Sequence, residues 1–384
     1  MTVTVQLSLN GAPVPADFYS AIESLEVEES SDGPDMLLLR VPVNRDSSGD
    51  LQYVGDGTFE PYTPISMVVT PAGQGPQCVF DGYVLSWQLH LDRTSSSSTL
   101  DVAAQDASWL MNIDDTVTEW SGQTDGEVAN AIFASYGFTP AGANTDDDSP
   151  VHDPDAHSLF QRATDLQFLR GLARRGGRIC RVACTDTPGS RTGFFIRPSV
   201  GGQPVATISL ADPDNWTVDT LDFDWDVMRP SEVDASQVDL TDSADDGTPA
   251  GTQSSGLTSL ADRDLATYAG RSSTFILTTP ADVPELPQRT AAVLTESGFF
   301  TRCTGEADAG RLNAVLRAGD VVTLAGAGSI HSGNWLVWTV RHRFAVDAFT
   351  MRFTLVRNGV GAAPGGGGLA AAAAAAAGAI GGAL

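Results

Sequence analysis

Asp165-Leu-Gln-Phe-Leu-Arg-Gly-Leu-Ala-Arg-Arg-Gly-Gly-Arg-Ile-Cys-Arg-Val182 reads as a short helix, a tight turn and a strand. Asp165 is a good residue for the helix N-cap. Phe168, Leu169, Leu172 and Ala173 then fall on one helical face. Gly176-Gly177 supplies the left-handed stop. Arg178 to Val182 continues as a strand, with Ile179 on one face and Cys180 and Val182 on the other. The stretch also carries Arg170, Arg174, Arg175, Arg178 and Arg181, a basic cluster in an acidic chain. Such a cluster has three readings, of which nucleic-acid binding is the least favoured in so acidic a chain. It can complement the helix dipole and pair with local acids, or it can form a surface for salt bridges between subunits.

On both sides of this stretch the pattern is that of strands. Val3, Val5, Leu7 and Leu9 alternate with polar residues, and Asn10-Gly11 turns the chain. Leu25 and Val27 keep the alternation, Asp32-Gly33-Pro34-Asp35 turns it, and residues 36–43 and 65–69 follow as strands around a polar, Gly-rich loop at 44–62. A long strand covers 79–91, a turn 95–98, and Leu100-Asp-Val102 closes a β domain over residues 1–107. Thr124-Asp-Gly-Glu127 is a capping box that opens a helix carrying Val128, Ile132, Phe133 and Tyr136. A second helix is expected after Asp155, with Leu159, Phe160 and Ala163. Residues 108–205 are therefore a small α+β domain. Strand patterns return at 216–225, 319–324, 335–343 and 349–357, the last two as a hairpin turning near Val346-Asp347. They define a second β domain, 206–358, interrupted by an exposed insert at 240–256 and a helix from Pro284. Residues 361–384 are a Gly/Ala-rich flexible tail.

Composition narrows the chemistry. The 384 residues carry 48 acidic and 22 basic side chains, a formal charge of −26. Nucleic acid and anionic membrane surfaces are poor partners for such a chain. Every basic residue is arginine, so a Walker-A lysine, a kinase-type lysine and a Schiff-base lysine are all ruled out. Cys78, Cys180, Cys184 and Cys303 lack the spacing of a disulfide framework or a zinc site, and are expected as buried thiols. The N-terminus begins with a strand and no signal peptide. No stretch is long enough to span a bilayer.

Catalytic signatures are sparse. There is no Gly-x-Ser-x-Gly elbow, no His-Glu-x-x-His and no complete Gly-x-Gly-x-x-Gly loop. His152-Asp-Pro-Asp-Ala-His157 contains metal-ligating residue types, but its acidic, Pro-containing context reads as a solvated loop. The Asp146–Asp148 and Asp242–Gly247 runs lack the closing glutamate of a calcium loop. The expectation is a protein that is not an enzyme and needs no metal or cofactor.

The order of these segments resembles the phage late-control protein D family and the hub part of VgrG-type proteins, the baseplate hubs of contractile tails and contractile injection systems. Leu25-Glu-Val-Glu-Glu and Gly33-Pro-Asp-Met36 are similar to the family's opening strands. Phe80-Asp-Gly-Tyr-Val84 and Leu100-Asp-Val-Ala-Ala-Gln-Asp106 resemble its next hairpin. Ala129-Asn-Ala-Ile-Phe-Ala-Ser-Tyr-Gly137 resembles its helix ending in Tyr-Gly, and the opening stretch its Asp-x-x-Phe-Leu-x-x-Leu-Ala-x-x-x-Gly pattern. Arg317-Ala-Gly-Asp-Val-Val322, Gly333-Asn-Trp-Leu-Val337 and Phe353-Thr-Leu-Val-Arg357 resemble its C-terminal barrel. The resemblance covers residues 1–358. It implies a mainly β fold with an α+β insert: two tube-like β-barrel domains plus the small α+β domain. It also implies a homotrimer whose pseudo-sixfold ring joins a hexameric inner tube to a trimeric spike, beside other baseplate components, assembled in the bacterial cytoplasm. VgrG-type chains continue into a spike of their own; here the spike is expected as a separate protein. The alternatives from other classes are a tail-associated cell-wall hydrolase and a carbohydrate-binding β module.

Overall fold

The computed structural model describes residues 3–93, 98–145, 148–154, 158–212, 214, 216–237, 248–249, 254–277, 285–345 and 348–362. The turn at 95–97, the acids at 146–147, His157, most of the 240–256 insert, the turn at 346–347 and the tail from 363 lie outside these residues.

From the N-terminus come β1 (Thr4–Leu9), β2 (Ala12–Pro13), α1 (Ala16–Ala21), β3 (Ser24–Ser30), β4 (Met36–Pro42), β5 (Pro64–Thr70), β6 (Gln77–His90) and β7 (Thr99–Asp106). The middle of the chain holds β8 (Asp115–Trp120), α2 (Asp125–Ser135), β9 (Thr139–Pro140), β10 (Leu159–Thr164), α3 (Asp165–Arg175), β11 (Ile179–Cys184) and β12 (Arg191–Ile196). Then follow β13 (Ala206–Ser209), β14 (Thr220–Trp225), β15 (Glu232–Gln237), β16 (Thr248–Pro249), α4 (Leu265–Ala269), β17 (Thr274–Leu277) and α5 (Leu286–Gly298). The chain closes with β18 (Thr301–Asp308), α6 (Ala309–Leu312), β19 (Val321–Ala325), α7 (Gly328–His331), β20 (Gly333–Ala345) and β21 (Ala348–Arg357).

The fold is mainly β with an α+β insert. One 13-stranded sheet runs β14-β18-β21-β20-β3-β4-β7-β6-β5-β1-β2, with β19 on β20 and β13 on β19. The N-terminal and C-terminal strands join where β20 pairs antiparallel with β3, Thr339 opposite Ser30 through Phe344 opposite Leu25. The alternation read in the sequence fixes which face is buried. In β3, Leu25, Val27 and Glu29 point inward; in β4, Leu37, Leu39 and Val41 do. These apolar side chains share one core with Met351, Phe353 and Leu355 of β21. On the outer face of the joint, Arg343 Nε donates to Glu26 at 2.9 Å and Arg341 Nε to Glu28 at 3.0 Å. Those are cross-strand pairs of opposite charge, worth about 0.2–1 kcal/mol each.

The middle region has its own core of Val128, Ile132 and Phe133 from α2, Leu169 and Leu172 from α3, and Val182 and Phe195 from the strands. The capping box forms as read: Thr124 Oγ1 accepts from Glu127 N, and Glu127 accepts from Thr124 N. Four expectations change. The cap of α3 is Thr164, whose hydroxyl accepts from Gln167 N; Asp165 lies inside the first turn. Leu166 takes the buried place given to Phe168, which is half-buried. Residues 159–164 form strand β10 and not a helix, because they pair antiparallel with β8, Leu159 opposite Trp120. Finally, Cys78 and Cys184 form a disulfide with Cα atoms 5.7 Å apart, while Cys180 and Cys303 are buried thiols. The partner of Cys184 is not its neighbour Cys180 but a residue 106 positions earlier, brought close by the packing of β11 on β6.

Candidate functional site

One polar contact between the middle region and the sheet runs from Arg181 to Glu29. Alternation along β3 places Glu29 on the same inward face as Leu25 and Val27, and it is fully buried. A buried carboxylate requires partners. Arg317 Nε donates to Glu29 Oε1 at 2.6 Å, and His342 Nε2 lies 3.0 Å from the same oxygen. Arg181 Nη2 lies 3.8 Å from Oε2. Glu29 comes from the N-terminal strands, Arg181 from the middle region, and Arg317 and His342 from the C-terminal strands. One carboxylate therefore binds all three parts of the chain together.

Burial alone would push the Glu29 carboxyl up. The Arg317 guanidinium, helped by His342 and Arg181, outweighs it and holds the pKa down at about 2. Neighbouring carboxyls go the other way. Burial raises Asp35 well above its ordinary value, with the charges of Asp106 and Glu29 adding to it, and burial also raises Asp106. Asp320, which accepts from Arg317 N at 2.8 Å, is pushed up to about 6 by burial, with Glu29 adding. Asp106 also caps the turn at Ala107–Asn112, accepting from Ser108 N at 2.7 Å.

Two further contacts fasten the middle region to β6. The Cys78–Cys184 disulfide is one. The other is Arg191, whose Nε donates to Asp81 at 2.7 Å and whose Nη1 donates to Tyr83 at 3.0 Å.

The five arginines of the basic cluster separate. Arg175 turns inward, its Nη2 at 3.0 Å from buried Asp125. Arg178 is buried, pairs with Asp148 at 3.3 Å and lies over the Phe195 ring. Arg181 reaches Glu29 and donates to Ala318 O at 2.8 Å. Arg174 is exposed and Arg170 half-buried. Arg170, Arg174 and Arg178 line one cavity. The acids that pair with this cluster are far away in sequence, so the pairing is tertiary and not the local pairing of a helix end. His152 is likewise buried, 2.8 Å from Asp125 Oδ1, and not part of a solvated loop. Among the described residues no three His, Cys, Asp or Glu side chains are grouped to hold a metal. No helix among them is long and apolar enough to cross a membrane.

Glu29, Asp106, Arg317 and Asp320 fall inside the family-like motifs without a site role there, and His342 lies outside them. A signal existed for two of them: Glu29 continues the inward row Leu25, Val27, and Asp106 continues the row Leu100, Val102, Ala104. A charged residue on an otherwise apolar face marks a buried ion pair or a cap.

No family model matches the chain, and no curated protein matches it either. Solved structures do. A tail protein from Neisseria meningitidis MC58 matches with a TM-score of 0.64 and 14% identity, over 94% of this chain and 98% of the other. The 43 kDa tail protein of prophage MuSo2 from Shewanella oneidensis matches with a TM-score of 0.64 and 14% identity, over 93% and 99%. The chain has the fold of these tail proteins. It is also similar to an E. coli component of the type VI secretion system, described as structurally similar to T4 bacteriophage tail proteins, with a TM-score of 0.56 and 12% identity, over 92% and 76%.

Proposed function

We propose that this chain is the structural baseplate hub of a phage tail or contractile injection system. The observation that carries the reading is the end-to-end correspondence with the Neisseria tail protein, 94% of one chain on 98% of the other. In this reading residues 1–107 and 206–358 are the two tube-like halves, 108–205 is the α+β domain, and 361–384 is a tail. Three copies then present six tube-like units, a ring that matches a hexameric inner tube on one side and a trimeric spike protein on the other. Other baseplate components surround it, and the particle assembles in the bacterial cytoplasm.

Several features support assembly. Strand β14 ends the large sheet and carries Trp225, 51% exposed, at a place where a second chain can add its own strand. The β8–β10 ribbon exposes Val117 and Phe160, and β17 exposes Ile276. Two of the carboxyls with raised pKa, Asp35 and Asp106, are poor candidates for glycoside cleavage, because both are buried where a sugar has no access. The role we propose is structural.

Light scattering on the purified chain, alone and co-expressed with its tube and spike neighbours, tests the reading. A trimer, or a monomer that becomes trimeric with the spike, is the expected result. A stable monomer that binds neither tube nor spike overturns it, as does muralytic activity with a mapped carboxylate pair.

A further inference from the structure

A cavity of about 320 Å³ opens where the C-terminal end of α3 and the start of β11 face α5, β18 and the paired strands β20 and β21. Five arginines line it, Arg170, Arg174, Arg178, Arg229 and Arg302, against two carboxylates, Asp32 and Glu296. In a chain of net charge −26 this is a local inversion of sign.

The partners of these arginines differ. Arg178 pairs with Asp148, and Arg229 with Asp226 and the carbonyls of Glu296 and Phe299. Arg170, Arg174 and Arg302 have no ion pair among the described residues. Two guanidinium nitrogens of Arg170, Nε and Nη2, are buried with no acceptor. Arg170 and Arg174 are also one helical turn apart on α3, where like charges repel. Arginine cannot relieve this by losing its proton. An anion in the cavity would.

The remaining wall is apolar, formed by Ile179, Phe299, Trp338 and Val356. Guanidinium forks beside aromatic and aliphatic surface fit a carboxylate carried on an apolar stem. The strongly negative charge of the whole chain opposes a long polyanion such as nucleic acid. We infer that this cavity is a recognition site for an acidic side chain flanked by apolar residues, donated by another protein chain. The inference does not depend on the hub reading; if that reading holds, the donor is a neighbouring component of the particle.

Isothermal titration with a capped Leu-Glu-Leu peptide, and separately with inorganic phosphate, tests it. The variants are Arg174→Gln, Arg302→Gln and the pair together. Both positions are exposed, so the fold is retained, which a matching melting temperature verifies. The wild type is expected to bind the peptide saturably, more weakly as salt rises. Each substitution is expected to weaken binding about tenfold, the effect of losing one charge-assisted hydrogen bond. Three results overturn the proposal: no saturation by the wild type, equal affinity in the double variant, or binding of phosphate without binding of the peptide.

Discussion

Glu29 and Asp320 lie in the same buried junction and titrate in opposite directions. Glu29 has a folded pKa of about 2 against an ordinary 4.5, so its contribution to stability is complete above 4.5 and is lost as pH falls toward 2. Asp320 has a folded pKa of about 6 against an ordinary 3.8, so the folded protein holds a proton that the unfolded chain has released. Its contribution is present below 3.8 and is lost as pH rises through 6. Asp320→Asn removes the ionisable group and keeps an oxygen for Arg317 N. The variant is expected to melt higher than the wild type at about pH 8, with the difference vanishing near pH 4. Thermal melts across that range check it; an equal difference at both ends would mean packing and not ionisation.

The turn from α3 to β11 packs closely against α5. Gly177 has φ +65°, as the Gly-Gly stop required. What the motif does not contain is the neighbour: a Cβ at Gly177 would meet the Cα of Ala292 in α5 at 2.8 Å. The left-handed backbone costs an L-residue about 1–2 kcal/mol, and overpacking against a helix backbone adds about 1–3 kcal/mol. Gly177→Ala is therefore expected to destabilise by roughly 2–5 kcal/mol, read from urea unfolding. Gly171→Ala is the control. It sits mid-helix with open space around its Cβ position and is expected to stabilise by roughly 0.5–1 kcal/mol.

Across the whole molecule, the middle region is held between two halves of one sheet by Glu29, by the Asp81–Arg191 pair and by the Cys78–Cys184 disulfide. The disulfide joins residues 106 positions apart, so most of its effect falls on the unfolded chain. Cys184→Ser, or reduction, is expected to lower stability by about 2–4 kcal/mol. Non-reducing electrophoresis of the unfolded protein should show the cross-linked form migrating faster. Cys180 and Cys303, both pushed up to about 12 by burial, should stay unlabelled by maleimide until the chain unfolds.

Much of this was legible in the sequence because it is local. Strand alternation needs only a period of two, the Thr124 box only four residues, and a left-handed stop only two glycines. These patterns yielded the mainly β class, the α+β insert and the main helices. Alternation also revealed the inward row of β3, which Glu29 continues. It could not say which charges would meet Glu29, because Arg181, Arg317 and His342 lie far along the chain. Nor could spacing name the partner of Cys184, or turn residues 159–164 from a helix into a strand, since both depend on a segment distant in sequence. Local propensity set the elements. The pairing of buried charges, the disulfide and the sorting of the five arginines around α3 were decided by which surfaces the folded chain brings into contact.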